Sequence, residues 1–350
     1  MRPVVLRADN FTPPSRTPWG GTRLLEGYKR GLDLDPAKAA FPVVGESWEL
    51  SVEPDFPSVE RGSGAALSDI IARDPSAWLG REAEDGRNST ALLVKLLDAA
   101  DELSVQIHPS DDYAGLSAGE SGKPECWYVV ERSPGAGVYL GLAEGVTREA
   151  MEPALRDGGD VSKLLGFVPV EPGDFLLIEA GTAHAIGRGL TLVEPQRVVP
   201  GRRGVTYRYW DWNRRYDSEG RSDPKGQPRA LHVEHALAVT NWDAPRGGAF
   251  LQRARLRAGE ADVEGPAVVT SLCGREGGLA SDDLQVARLS GTGVATLPMW
   301  GALMGVTVLD GAVTVGDVRL TRGMSAAVPA AMGGAAAQLE RAHAVVSAVY

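Results

Sequence analysis

Cysteine is nearly absent, with Cys126 and Cys273 the two in 350 residues. Two thiols do not make a disulfide framework, so a small cross-linked secreted scaffold is excluded and a reducing cytoplasm is the expected home. Long apolar runs are missing as well. No stretch approaches the ~18 residues that a membrane-crossing helix needs, so no membrane partner is expected. The opening Met-Arg-Pro-Val-Val-Leu-Arg-Ala-Asp lacks the apolar core of a signal peptide. Positive charge is not in excess: the formal net charge is −10, which argues against general nucleic-acid binding. An anionic ligand would then need a local cationic site. Histidine is scarce, at five residues, so those in pocket-like positions carry weight.

Glycine and proline, by contrast, are plentiful, at 43 and 23, and they punctuate short apolar runs. This predicts a mainly β protein with frequent turns. The length allows two domains. The Gly45–Ser51 stretch alternates as a strand, with Trp48 and Leu50 on one face and Trp48 read as core. Ser68 is placed to cap a helix carrying Ile70, Ile71 and Trp78. Lys95 sits inside an apolar run, where a lysine ordinarily reaches out to water. Leu103–Ile107 reads as a strand with Leu103, Val105 and Ile107 on a core face and Ser104, Gln106 and His108 along the other. Three unlike polar groups in a row read as a pocket wall. Ser110-Asp111-Asp112 looks like the start of a short helix.

A second strand follows Gly122-Lys-Pro, with Glu125, Trp127 and Val129 opposite Cys126, Tyr128 and Val130. A carboxylate on an apolar strand needs a cation or solvent. Residues 147–166 have helical spacing broken at Gly158-Gly159 and read as a helical insertion. Then Gly173, a buried strand, Gly181 and His184 form an arrangement similar to the second motif of cupin barrels, with Ala180 where proline is usual. Past residue 228 the polar pocket candidates thin out. Leu231–Val239 reads as a helix holding His232, Glu234 and His235. Asp310-Gly311 between apolar runs predicts a hairpin. The expected division is a catalytic cupin domain over 1–228 and a cupin-like barrel without a metal site over 229–350.

His108, Glu125 and His184, with Gln106 beside them, combine two imidazoles, a carboxylate and an amide. That set suits zinc or another borderline divalent ion.

Gln106-Ile-His108-Pro, Gly122-Lys-Pro-Glu-Cys-Trp-Tyr128, Gly181-Thr-Ala-His184-Ala-Ile-Gly187 and Thr206-Tyr-Arg208 together resemble type I phosphomannose isomerases of the short bacterial form. Pro18-Trp-Gly-Gly21 and Gly45-Glu-Ser-Trp-Glu49 are similar to the N-terminal segments of that family. The resemblance implies cupin jelly-roll barrels, one Zn²⁺ per chain, and interconversion of mannose 6-phosphate and fructose 6-phosphate through a cis-enediolate. It implies Gln106, His108, Glu125 and His184 as zinc ligands, with Gln106 standing off the metal in some short members. It maps the substrate-side arginine to Arg208 and a proposed base to Glu194. Ser104 and Lys123 fall at phosphate-contacting positions, with Lys95 lining the pocket. The partner is then a phosphorylated hexose, and the chain a monomer or homodimer.

The segment after Glu194 departs from the family, which usually has a glutamine-rich run there. Arg197, Arg202 and Arg203 are read as part of a solvated loop over 195–203, against altered substrate contact. Other readings are an isomerase of a different phosphorylated sugar, a non-haem metal cupin oxygenase, and a non-catalytic sugar-binding cupin. The lysines and Arg208 around the site favour a phosphorylated substrate over the oxygenase, and the intact ligand set favours catalysis over mere binding.

Overall fold

A computed structural model describes residues 1–350 apart from Asp85 and Glu219. Three β layers make up the molecule. The outer layer has five antiparallel strands in the order Tyr207–Trp210, Val105–Ile107, His184–Ile186, Gly137–Leu142, Leu165–Pro169. The middle layer has six, in the order Arg255–Arg257, Asp174–Ile178, Glu125–Arg132, Leu190–Arg197, Leu92–Ala99, Glu46–Leu50. These two sheets face each other as a jelly roll, the cupin architecture, around Leu97, Trp127, Val129, Val138, Leu140, Leu176, Ile186 and Leu192. The third layer, a sheet of the C-terminal unit, has the long strands Leu284–Thr296, Met304–Val315 and Ala336–Val349 at its centre.

Period-two alternation decides what each face of the middle sheet touches. In Glu125–Arg132, Trp127 and Val129 point into the jelly roll, while Cys126 and Tyr128 point at the C-terminal unit. There they meet Leu272, Cys273, Leu284, Val286 and Val345 in one shared core. Both faces are buried, so the strand reads apolar on both. In the outer sheet, Val105, Ile107, Ala185, Tyr207 and Tyr209 point outward beneath the helices Arg148–Arg156 and Val233–Val239.

The two parts of the chain exchange strands and packing. Arg255–Arg257 pairs with Asp174–Ile178 in the middle sheet, and the Gly247–Ala254 helix packs on the jelly-roll core. Val4–Val5 pairs with Ser325–Val328 of the C-terminal sheet.

Several local expectations are corrected. Met304–Val315 is one continuous strand, and Asp310-Gly311 is a bulge in it, with Gly311 at φ 63°. The hairpin turn comes later, between Val315 and Val318. Pairing with the long partner Ala336–Val349 on both sides keeps the strand continuous where local sequence favours a turn. Ala66, not Ser68, precedes the helix Leu67–Ala72, and Trp78 belongs to a separate helix, Pro75–Leu79, capped by the Asp74 side chain. Asp111 and Asp112 form a turn and no helix. A bulge between Trp48 and Leu50 separates these two side chains: Leu50 enters the shared core, while Trp48, buried as expected, packs with Leu93 and Val198 in a small separate cluster that also lines a cavity. The strand from Leu190 runs on to Arg197, so Pro195 and Gln196 are buried strand residues and not part of a solvated loop.

Candidate active site

The polar ends of the jelly-roll strands converge at one end of the barrel, above its apolar floor. Ser104, Gln106 and His108 come from one strand and its flanks, with Gln106 directly opposite His184 on one side and Arg208 on the other. On the middle sheet, Lys95 pairs with both Trp48 and Glu194, and Gln196 with Glu125. Glycines at 20, 21 and 45 let the N-terminal segment lie against this end: a Cβ on Gly45 would be 2.7 Å from Thr17 Cβ and 2.8 Å from the Trp19 ring.

His108, Glu125 and His184 are buried together, with one ligand atom from each within 4.8 Å of the others. His108 Nδ1 lies 2.9 Å from the Val205 carbonyl and His184 Nδ1 lies 2.8 Å from that of Thr182. A carbonyl only accepts, so both Nδ1 atoms carry the proton and both Nε2 atoms present lone pairs. Those two Nε2 atoms are buried without a hydrogen-bond partner. They face Glu125 at 3.1 and 3.3 Å. Burial lowers the pKa of His184 to about 4, and burial with Lys123 lowers that of His108, so both rings are neutral at pH 7. Burial would raise the Glu125 pKa, but the Lys123 charge outweighs it and holds the carboxyl well below the usual carboxylate range. Lone pairs aimed at a carboxylate, with no proton between, are what a cation resolves. The residues therefore fit a metal ion. Gln106 donates from Nε2 to Ser104 Oγ at 3.1 Å, which leaves its Oε1 free to face the triad.

Beside the triad is a cavity of about 460 Å³, within the range that suits a small polar ligand. Lys95, Ser104, Gln106, Lys123, Glu194 and Arg208 all line it. Lys123, with Nζ 3.3 Å from Glu125, and Gln196 join it to the triad. Lys95 is buried and does not reach bulk water: its Nζ lies 3.8 Å from Glu46, 3.5 Å from Glu194 and 4.8 Å over the Trp48 ring. Burial opposes its charge, but these carboxylates outweigh burial and raise its pKa. Glu194 accepts the Trp127 indole N–H at 3.0 Å. Burial, then the nearby Glu125, lifts its pKa to about 7. Arg208 donates from Nε to Ser104 Oγ at 3.2 Å and from Nη1 to the Ala230 carbonyl at 3.0 Å.

The arginines at 197–203 separate. Arg203 lines the cavity rim and pairs with Glu120, whereas Arg197 turns away to Asp111 and Asp283 at 2.6 and 2.7 Å. Sequence reasoning missed Gln196, whose Nε2 donates to Glu125 at 2.6 Å. It lies two residues past Glu194 and so on the same strand face, which was the available signal. It also missed Glu46, Arg229 and His232 on the cavity wall.

Residues 16–123 match the family model of the phosphomannose isomerase type I catalytic domain. The likeness is to type I phosphomannose isomerases. Mannose-6-phosphate isomerase from Streptococcus mutans is 35% identical over 232 residues, which is 65% of this chain and 65% of that protein. Mannose-6-phosphate isomerase ManA from Bacillus subtilis is 33% identical over 226 residues, 63% of this chain and 64% of that one. The aligned stretch thus spans a little under two thirds of these curated relatives. In fold the likeness extends further. The crystal structure of mannose 6-phosphate isomerase from Bacillus subtilis superposes with a TM-score of 0.74 at 24% identity, over 99% of both chains. A phosphomannose isomerase variant from Salmonella typhimurium gives 0.68 at 14% identity, over 100% of both. No helix among the described residues is long and apolar enough to cross a membrane.

Proposed function

We propose that this chain is a zinc-dependent aldose–ketose isomerase that interconverts mannose 6-phosphate and fructose 6-phosphate. The observation that carries the reading is the buried His108–Glu125–His184 triad with two orphaned Nε2 atoms beside a cavity furnished with lysines and arginines. The names of its sequence relatives support the same substrate.

His108, His184 and Glu125, joined by Gln106 Oε1, would hold one zinc ion. When bound, the ion supplies a Lewis acid that polarises and orients sugar oxygens. The remaining chemistry falls to side chains. A proton must move between C1 and C2 through a cis-enediolate, which calls for a base with a pKa near neutrality. Glu194 fills that role: Trp127 anchors one of its oxygens, and the other lies toward Lys95. Arg208 stabilises negative charge developing on the enediolate oxygens. Ser104, Lys95 and Lys123 bind the substrate, and Gln196 fixes the orientation of Glu125.

The test is a coupled isomerase assay on mannose 6-phosphate before and after chelation, with zinc added back. Activity that vanishes with chelator and returns with zinc is the expected result. A folded, zinc-loaded chain that leaves mannose 6-phosphate unchanged would overturn the assignment.

A further inference from the structure

Most cations around the cavity already have a carboxylate. Arg16 has Asp55 at 3.3 Å, Lys95 has Glu46 and Glu194, Lys123 has Glu125, and Arg203 has Glu120. Arg208 and Arg229 are different. The guanidinium of Arg208 is held by Ser104 Oγ and a backbone carbonyl, and among the described residues it has no carboxylate at ion-pair distance. Arg229 stacks 4.7 Å over the Tyr216 ring. It shares the Asp211 carboxylate: its Nε lies 3.8 Å from Oδ2, while Arg214 holds Oδ1 at 2.6 Å. Burial, then the charge of Arg229, lowers the Arg208 pKa. Arg214 and Arg229 share one carboxylate and Arg208 has none, and such a surplus of like charge favours an anion on this wall.

His232 belongs to the same wall. Its Nδ1 accepts the Arg208 backbone N–H at 3.1 Å, and its own backbone N–H donates to the Arg208 carbonyl at 2.9 Å. An accepting Nδ1 puts the proton of the neutral ring on Nε2. Among the described residues that Nε2–H meets no acceptor, and His232 lines the cavity. Burial, then Arg208, lowers the His232 pKa, which keeps the ring neutral. Ser104 Oγ accepts from both Gln106 and Arg208, so its hydroxyl proton remains to be given.

We infer that Arg229 and His232, with Ser104, form an anion subsite beside Arg208 that receives the phosphate of the substrate and directs the other end of the sugar, along the Arg208 guanidinium, toward the triad. The inference rests on the isomerase reading in taking a sugar phosphate as the ligand. Lys123, 3.3 Å from Glu125, then serves the metal end of the cavity more than the phosphate.

The test uses the full zinc-loaded chain and two probes, inorganic phosphate by calorimetry and mannose 6-phosphate in steady-state kinetics. Arg229→Gln is expected to weaken phosphate binding about tenfold and to raise KM by a similar factor, with kcat within about twofold, as for loss of one charge-assisted hydrogen bond. His232→Asn keeps an acceptor for the Arg208 N–H but lacks the Nε2 donor, and is expected to behave like Arg229→Gln. His232→Gln, which offers a donor near the Nε2 position, recovers part of the loss. Arg148→Gln, on an exposed helix, changes neither readout. Folded Arg229→Gln and His232→Asn variants with unaltered phosphate affinity and KM would overturn the subsite. Phosphate binding by the unmodified chain that Arg229→Gln weakens upholds the subsite even if mannose 6-phosphate is not turned over. Failure of the isomerase reading is thus seen separately.

Discussion

At the scale of single residues, the two histidine tautomers govern the candidate centre. Both rings give their Nδ1 proton to a backbone carbonyl, so both lone pairs are aimed at the same point beside Glu125. His184→Ala is expected to lose the bound metal, read by elemental analysis; a variant that retains a full equivalent of zinc would remove His184 from the ligand set. Glu194 and Arg208 are separable from metal binding. Glu194→Gln preserves shape and the Trp127 contact but cannot take a proton, so kcat should fall about 10²- to 10⁴-fold with zinc content unchanged. Arg208→Ala should depress kcat more than it raises KM, because charge on the enediolate oxygens develops after binding. Strand alternation and the family resemblance together pointed to His108, Glu125 and His184, which lie together, and to Lys95, Ser104, Gln106, Lys123, Glu194 and Arg208, which line the cavity beside them. Gln196 was not legible, because Pro195 and the following arginines look like a loop.

At the scale of elements, the Leu190–Arg197 strand shows how one face is shared between barrel stability and site. Leu192 belongs to the floor, Glu194 to the cavity, and Gln196 to the hydrogen bond on Glu125. Removing a group that orients a ligand ordinarily costs metal affinity without abolishing it. Gln196→Ala should therefore weaken zinc about 10- to 100-fold in a competition titration with a chelator. The bulge at Gly311 is a second element-level feature. A Cβ there would run into the carbonyl oxygens of Glu340 and Arg341, in a backbone conformation that L-residues disfavour. Gly311→Ala is expected to destabilise the C-terminal sheet by about 1 kcal/mol or more in denaturant unfolding. Asp310-Gly311 looked like a hairpin because turn chemistry is local. It becomes a bulge because the Ala336–Val349 strand pairs on both sides of it.

At the scale of the molecule, the two units are joined by more than apolar contact. Lys29, fully buried, places Nζ 2.6 Å from Glu49 and 2.8 Å from the Gly323 carbonyl, and Ser325 Oγ donates to the other Glu49 oxygen at 2.6 Å. Glu49 lies on the strand that carries Glu46 and Trp48 to the cavity, so the C-terminal sheet braces one wall of the site. Lys29→Met would leave a buried carboxylate without its cation and should cost about 3–5 kcal/mol of unfolding free energy. Stability should also depend on pH through Glu82. Burial raises its pKa to about 7 against the backbone N–H of Ala91 and the Thr90 hydroxyl, which favour the ionised form. A carboxyl with a raised folded pKa contributes its full stability below the unfolded value near 4.5 and loses it as pH rises toward 7. That contribution is on the order of 3 kcal/mol. Glu82→Gln should flatten this part of the curve of stability against pH.

The sequence by itself determined the β-rich class, the alternating faces of the jelly-roll strands and the polar residues that a metal cupin needs, because these follow from local periodicity and side-chain chemistry. Tertiary structure alone decided which wall each cation occupies and that Arg208 has no carboxylate at ion-pair distance among the described residues. It parted Trp48 from Leu50 through a bulge, and kept Asp310-Gly311 inside a long strand. It also brought His232, from beyond residue 228, to the backbone of Arg208, and Arg229 to the same cavity. Contacts between residues far apart in the chain leave no period in the sequence, so they emerge only when the sheets are packed.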